Sequence, residues 1–207
     1  MMAAHSQSRW VGRYTVSKML IPVVFLCLWA SGSIAAQDPV TVVKTGTDQV
    51  LQLLKEHSGD TQTRRTKIRA LVDQYFDFNA LAKRALGPAW KGQPQEKQQQ
   101  FTRDFSQLLF NTYITKIEKY TNERISYNQK QMQGDHAVVE ALVVGGQAGK
   151  VTIEYYMHLV DGNWMVYDVA IEGVGLVTNY RSQFDEILSR SSFDDLLTQL
   201  KAKVAQR

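Results

Sequence analysis

The order of patterns along this chain is helical, then alternating, then helical again. It predicts an α+β domain: an antiparallel β-meander of about four strands packed against a helical half and C-terminal helices, enclosing an apolar pocket. Three observations carry the fold class. Residues 47–120 repeat apolar side chains every three or four positions, residues 136–171 alternate with period two, and the turns between the alternating runs are too short for crossover helices.

The helical half reads as four segments. Thr47 to His57 places Val50, Leu51 and Leu54 on one face. Asp60 is the N-cap of a second helix carrying Ile68, Leu71, Val72, Tyr75 and Phe76. A short third helix holds Phe78, Leu81, Ala82 and Ala85 and ends near Gly87-Pro88. Pro94 suits the first turn of a long fourth helix, whose apolar positions are Phe101, Phe105, Leu108, Leu109, Tyr113, Ile117 and Tyr120.

The strands follow. Arg124 to Gln129 is the first, with Gln133-Gly134-Asp135 as its turn. Ala137, Val139, Ala141 and Val143 then alternate with His136, Val138, Glu140 and Leu142, and residues 145–149 turn the chain. Val151, Ile153, Tyr155, Met157 and Leu159 alternate with Thr152, Glu154, Tyr156 and His158 before the Asp161-Gly162 turn. Met165, Tyr167, Val169 and Ile171 form the last run, opposite Trp164, Val166, Asp168 and Ala170. The chain bends at Gly173 and Gly175 into a helix with Leu176, Val177, Tyr180, Phe184, Ile187 and Leu188. A final helix carries Phe193, Leu196, Leu197, Leu200 and Val204, opened by the capping-box variant Ser192-Phe-Asp-Asp195.

The N-terminus has the anatomy of a cleavable secretory signal peptide over residues 1–36. Arg9, Arg13 and Lys18 precede an apolar run from Met19 to Trp29, and small residues end at Ala35 and Ala36. That run is too short to span a bilayer, which takes about 20 apolar residues. Removing the segment takes the only cysteine, Cys27, and three of the 24 basic residues but none of the 20 acidic ones, which leaves a net charge of +1. The high pI of the whole chain therefore does not argue for nucleic acid. Residues 37–207 suffice for one domain with a substantial core and no disulfide.

Catalytic motifs are not recognisable. His57, His136 and His158 have no metal-ligand spacing, and there is no nucleophile elbow or phosphate loop. Asp168 stands out as a carboxylate on a mostly apolar strand face. Buried in a hollow, it would have a raised pKa and serve as a general base; alternatively it is a hydrogen-bonded structural acid or faces water. No partner group is visible for it.

From about Val50 to Lys203 the chain resembles the toluene-tolerance (MlaC) family of periplasmic phospholipid carriers. The likeness rests on Phe76-Asp-Phe78, Leu86-Gly87, Trp90 and Phe101-Thr-Arg-Asp-Phe105 in the helical half. In the C-terminal half it rests on Gly162-Asn-Trp164, Tyr167-Asp168, Glu172-Gly-Val174, Tyr180-Arg-Ser-Gln-Phe184 and Leu197-Thr-Gln-Leu200. The resemblance implies a twisted sheet against helices with an apolar pocket that takes the acyl chains of a phospholipid. It also implies a monomeric shuttle, without cofactor, between an outer-membrane lipoprotein–porin complex and an inner-membrane ABC transporter, maintaining outer-membrane lipid asymmetry.

Such a pocket needs aliphatic and aromatic walls. The helical candidates are Phe76, Leu81, Phe101, Phe105, Leu108, Leu109 and Tyr113, with Val177, Tyr180 and Phe184 from the later helix. The strand candidates are Ile153, Tyr155, Met157, Val169, Ile171 and Val174, a set that a one-residue register error would exchange. Arg181 is the candidate for head-group contact, with a solvated surface arginine as the alternative. Periodicity does not distinguish a filled core from a hollow one. A periplasmic enzyme and an adaptor with an NTF2-like α+β fold are the competing readings.

Overall fold

The first helix begins earlier than its apolar spacing suggests, because a local cap starts it. The Asp38 carboxylate accepts the Thr41 N–H at 2.9 Å, and Pro39 takes the first helical position, where its missing N–H costs nothing. The computed structural model describes residues 37–56, 59–120, 122–146 and 149–206. The signal peptide expected over residues 1–36 lies outside the described residues, as do His57 and the turn residues 147–148.

The element order is α1 (Pro39–Glu56), α2 (Thr61–Tyr75), α3 (Phe78–Leu86), α4 (Gln95–Ile117), β1 (Arg124–Gln133), β2 (His136–Val144), β3 (Lys150–Val160), β4 (Asn163–Ile171), β5 (Val174–Gly175), α5 (Leu176–Leu188) and α6 (Phe193–Ala205). Asp60 caps α2 and Asp77 caps α3 through backbone N–H groups three residues on. Phe76 is not part of α2. It is the extended residue after it, bridged to Val166 on the edge of β4. Pro94 has extended backbone and stands at the N-cap of α4, one place before the helix, and α4 ends short of Tyr120. At α6 the predicted capping box is complete between Ser192 and Asp195.

The five strands form one antiparallel sheet in chain order, with β5 a two-residue addition to the four expected. Ala137, Val139 and Ala141 pair with Met157, Tyr155 and Ile153, and Ile153 and Tyr155 pair with Ile171 and Val169. Directly paired residues share a face, so these form the inward surface. The strict alternation read for β4 fails at one point. Tyr156 pairs with Asp168 but Met157 pairs with Val166, so Tyr167 is bulged out. The bulge changes parity, and Val166 and Trp164, both buried, join Val169 and Ile171 on the inward side.

Helices α3 to α6 close over that surface, while α1 lies along β1 and β2. Phe101, Phe105, Ile68, Leu81, Met157, Leu196 and Leu200 are among the largest fully buried side chains. Each contributes about 1.5–3 kcal/mol relative to exposure. Polar ties hold the helical layer. Arg65 makes a bidentate pair with Glu118 at 3.0 and 2.7 Å, Arg64 adds a contact at 2.8 Å, and Arg69 reaches the buried Ser106 hydroxyl at 2.9 Å.

Candidate functional site

The inward sheet surface has two unlike ends. Towards the β3–β4 turn it is sealed: Ala137, Val139, Met157, Val166 and Trp164 are all buried beneath the helices. Towards the β4–β5 turn, Val143, Val151, Ile153 and Ile171 point the same way yet each keeps part of its surface open. Tyr155, between the two ends, Tyr113 of α4 and Tyr180 of α5 are likewise half-buried. An apolar face on a sheet, exposed at one end and roofed at the other, is a suitable entry for a long apolar ligand.

Most residues expected to line a pocket are packed against each other. Phe101, Phe105, Leu81, Leu108, Leu109, Met157, Val169, Val177 and Phe184 form one buried cluster, with Phe76, Tyr113, Ile153, Tyr155, Ile171 and Tyr180 packed at its margin. The rings interlock edge to face: Phe184 meets Phe101 and Phe105 with centroids 5.2 Å apart, and Tyr180 meets Phe105 at 5.0 Å. At the sealed end these side chains cover one another's apolar area. Two surface hollows, of about 380 Å³ between α1 and α2 and about 290 Å³ beside α4, touch none of the expected lining residues.

Two further candidates lie at the surface. Val174 is 60% exposed, because it sits on β5 just after a turn with left-handed Glu172 and Gly173, on the rim of the sheet. Arg181 is engaged by the protein itself: its Nε donates to the Arg84 carbonyl at 2.9 Å, and its Nη2 donates to the same oxygen. It thus satisfies the C-terminal end of α3. Gly87, which ends that helix at φ +54°, leaves room for the guanidinium; a Cβ there would lie 3.3 Å from Nε.

Asp168 is explained by backbone. Its Oδ1 accepts the N–H of Val169 at 2.7 Å and of Val177, in the first turn of α5, at 3.0 Å. Burial pushes its pKa up, while the two N–H groups pull the other way. The carboxylate ties the β4–β5–α5 crossover together, which is the structural alternative named for it.

A family model described as MlaC protein matches residues 44–202. The chain belongs to the MlaC family. This MlaC-family chain is 23% identical over 183 residues to the intermembrane phospholipid transport system binding protein MlaC of Haemophilus influenzae, covering 84% of this chain and 86% of that one. It is 24% identical over 179 residues to the toluene tolerance protein ttg2D of Pseudomonas putida, covering 83% of each. Among solved structures it matches the phospholipid-binding protein of Ralstonia solanacearum in complex with a phospholipid. There the TM-score is 0.74 at 28% identity, over 82% of this chain and 98% of that one.

Elsewhere in the MlaC-family fold, the polar residues gather on the outward sheet face. Lys130 pairs with Glu154 and lies 3.8 Å from Glu140, and His158 Nε2 lies 3.0 Å from the Asp77 carboxylate. Tyr167, placed outward by the bulge, carries the Arg84 guanidinium 4.0 Å over its ring. Among the described residues no cluster of three or more His, Cys, Asp or Glu side chains suits a metal ion.

Proposed function

We propose that this chain, freed of residues 1–36, is a monomeric periplasmic carrier that holds a phospholipid by its acyl chains. It shuttles the lipid between an outer-membrane lipoprotein–porin complex and an inner-membrane ABC transporter, maintaining outer-membrane asymmetry. The observation that carries the reading is the likeness to a protein solved with a phospholipid bound, over 82% of this chain and 98% of that one. The half-open apolar face of β2–β4 supports it independently. Acyl chains enter over Ile153, Ile171 and Tyr155, pass between Tyr113 and Tyr180, and part the aromatic cluster around Phe105 and Phe184. Separating those rings costs packing. Burying the chains offsets it at about 0.8 kcal/mol per CH₂, the same scale that holds a lipid in its membrane. No chemical step is assigned to any residue.

Expression of the full chain in a Gram-negative host, purification from the periplasm and organic extraction followed by mass spectrometry test this. One phospholipid per chain, and an intact mass matching cleavage after Ala35 or Ala36, are expected. A chain that carries no phospholipid and takes none from vesicles rejects the reading.

A further inference from the structure

Helix α5 runs antiparallel to α4 over the aromatic cluster. Phe101 and Phe105 meet Phe184, and Phe105 also meets Tyr180, one turn earlier on α5. The C-terminal end of α4 therefore lies beside the start of α5, at the open end of the sheet, where β5 leads into that helix. Tyr113 stands there, about two turns beyond Phe105. It is close enough to Tyr180 for the two phenols to interact. Burial, aided by that neighbour, pushes the Tyr113 pKa up, so the phenol remains a donor. Among the described residues neither hydroxyl has a hydrogen-bond partner, and neither is sealed from solvent. Both donors face water at the entry, and a ligand oxygen reaches them without a cavity being opened.

One turn on, Lys116 holds its ammonium 5.3 Å from the centre of the Tyr113 ring. It is exposed and makes no ion pair among the described residues. A lysine in the last turn favours a helix end on any face; the three-residue spacing is what sets this one over Tyr113. Carboxylates of this end are occupied elsewhere. Glu118 is held by Arg64 and Arg65, and Glu172 accepts the Thr152 N–H. The entry thus offers one cation and two hydroxyl donors without an anion of its own. A phosphodiester is their complement: it carries one negative charge, its oxygens only accept, and in a phospholipid it sits a few bonds from the chain heads. Chains passing between Tyr113 and Tyr180 bring it to this point. We propose that Lys116 Nζ, with the Tyr113 and Tyr180 hydroxyls, binds the lipid phosphodiester at the entry and reads the phosphate, not the alcohol esterified to it. The assignment rests on the lipid-carrier reading above.

Lipid-stripped wild type and Lys116→Gln are titrated with dioleoyl phosphatidylglycerol, dioleoyl phosphatidylethanolamine and dioleoylglycerol, each delivered from methyl-β-cyclodextrin. Lys116→Gln is expected to bind both phospholipids roughly three- to tenfold more weakly, the yield of one charge-assisted hydrogen bond open to water, with dioleoylglycerol unchanged. The phosphorus-31 resonance of bound phosphatidylglycerol is expected to move in the variant. Unchanged phospholipid affinity overturns the assignment. Equal weakening towards dioleoylglycerol overturns it too, since Lys116 would then only shape the entry, and so does an effect confined to one of the two phospholipids. Inorganic phosphate added to both stripped proteins separates the sources: a resonance broadened by wild type alone, with lipid affinities equal, assigns the site to the free anion and overturns the proposal. A wild type that takes up none of the three lipids rejects the carrier reading itself, a separate outcome from these.

Discussion

At the sealed end of the inward sheet face, Met157 and Val139 have no accessible surface and the rings of Phe101, Phe105 and Phe184 interlock above. At the other end, Ile153 and Ile171 are equally apolar, lie on the same face and pair with each other, yet remain partly open. Hydrophobic content does not separate the two ends; coverage does. The difference teaches that one continuous apolar surface can serve as core where helices meet it and as a binding face where they do not. Stability resides mainly in the first, and the proposed lipid contact lies in the second.

Substitutions at the two ends are the direct way to break this division. Phe101→Ala removes a fully buried ring from the middle of the aromatic cluster and is expected to cost about 3–5 kcal/mol in urea unfolding. Leu81→Ala, at 1% exposure, is expected to cost about 2–5 kcal/mol. By contrast Ile153→Ala, at the open end, is expected to cost about 1 kcal/mol, because part of its area is already in water. It should nevertheless lower the phospholipid recovered per chain. If Ile153→Ala destabilises as much as Leu81→Ala with lipid recovery unchanged, the two ends do not differ as described.

The crossover that links the ends sharpens the comparison. Asp168→Ala leaves two backbone N–H groups unpaired and is expected to cost about 1–3 kcal/mol by urea unfolding. Asp168→Asn keeps an acceptor oxygen and is expected to fall well below that, with lipid transfer retained. Loss of an activity in Asp168→Asn would instead favour the enzyme reading.

The smallest effect concerns pH. The Arg65 hydrogen bonds, with desolvation opposing and Arg64 assisting, hold Glu118 down to about 2 from its ordinary 4.5. A carboxylate depressed on folding contributes its full stability above the ordinary range and loses it as pH falls towards the folded value. Thermal melts between pH 5 and 2 are expected to show this decline, and Glu118→Gln should flatten it. A decline unchanged in Glu118→Gln would assign it to other carboxylates.

Much of the fold was legible in residue spacing. The caps at Asp60 and Ser192 set helix starts through short-range hydrogen bonds, and the glycine and Asp-Gly turns set an antiparallel order. Period two grouped Ile153, Tyr155 and Met157 on one strand and Val169 and Ile171 on the next without choosing the face, and the register puts the two groups on one side. The start of α1 lies at Asp38-Pro39, a cap-and-proline signal that the apolar repeat from Thr47 does not include. The Tyr167 bulge and the exposure of Val174 had no local signal. A bulge is decided by how β4 must twist against β3, and rim exposure by where the sheet ends.

The sequence by itself determined the α+β order, the helix caps, the strand turns and the apolar faces, since each depends on residues within a few positions of one another. Only the tertiary structure decided which stretch of the apolar face is covered and that Arg181 is spent on the end of α3. Those outcomes depend on elements that meet across the chain, where packing distances, absent from any local pattern, choose between contact and opening.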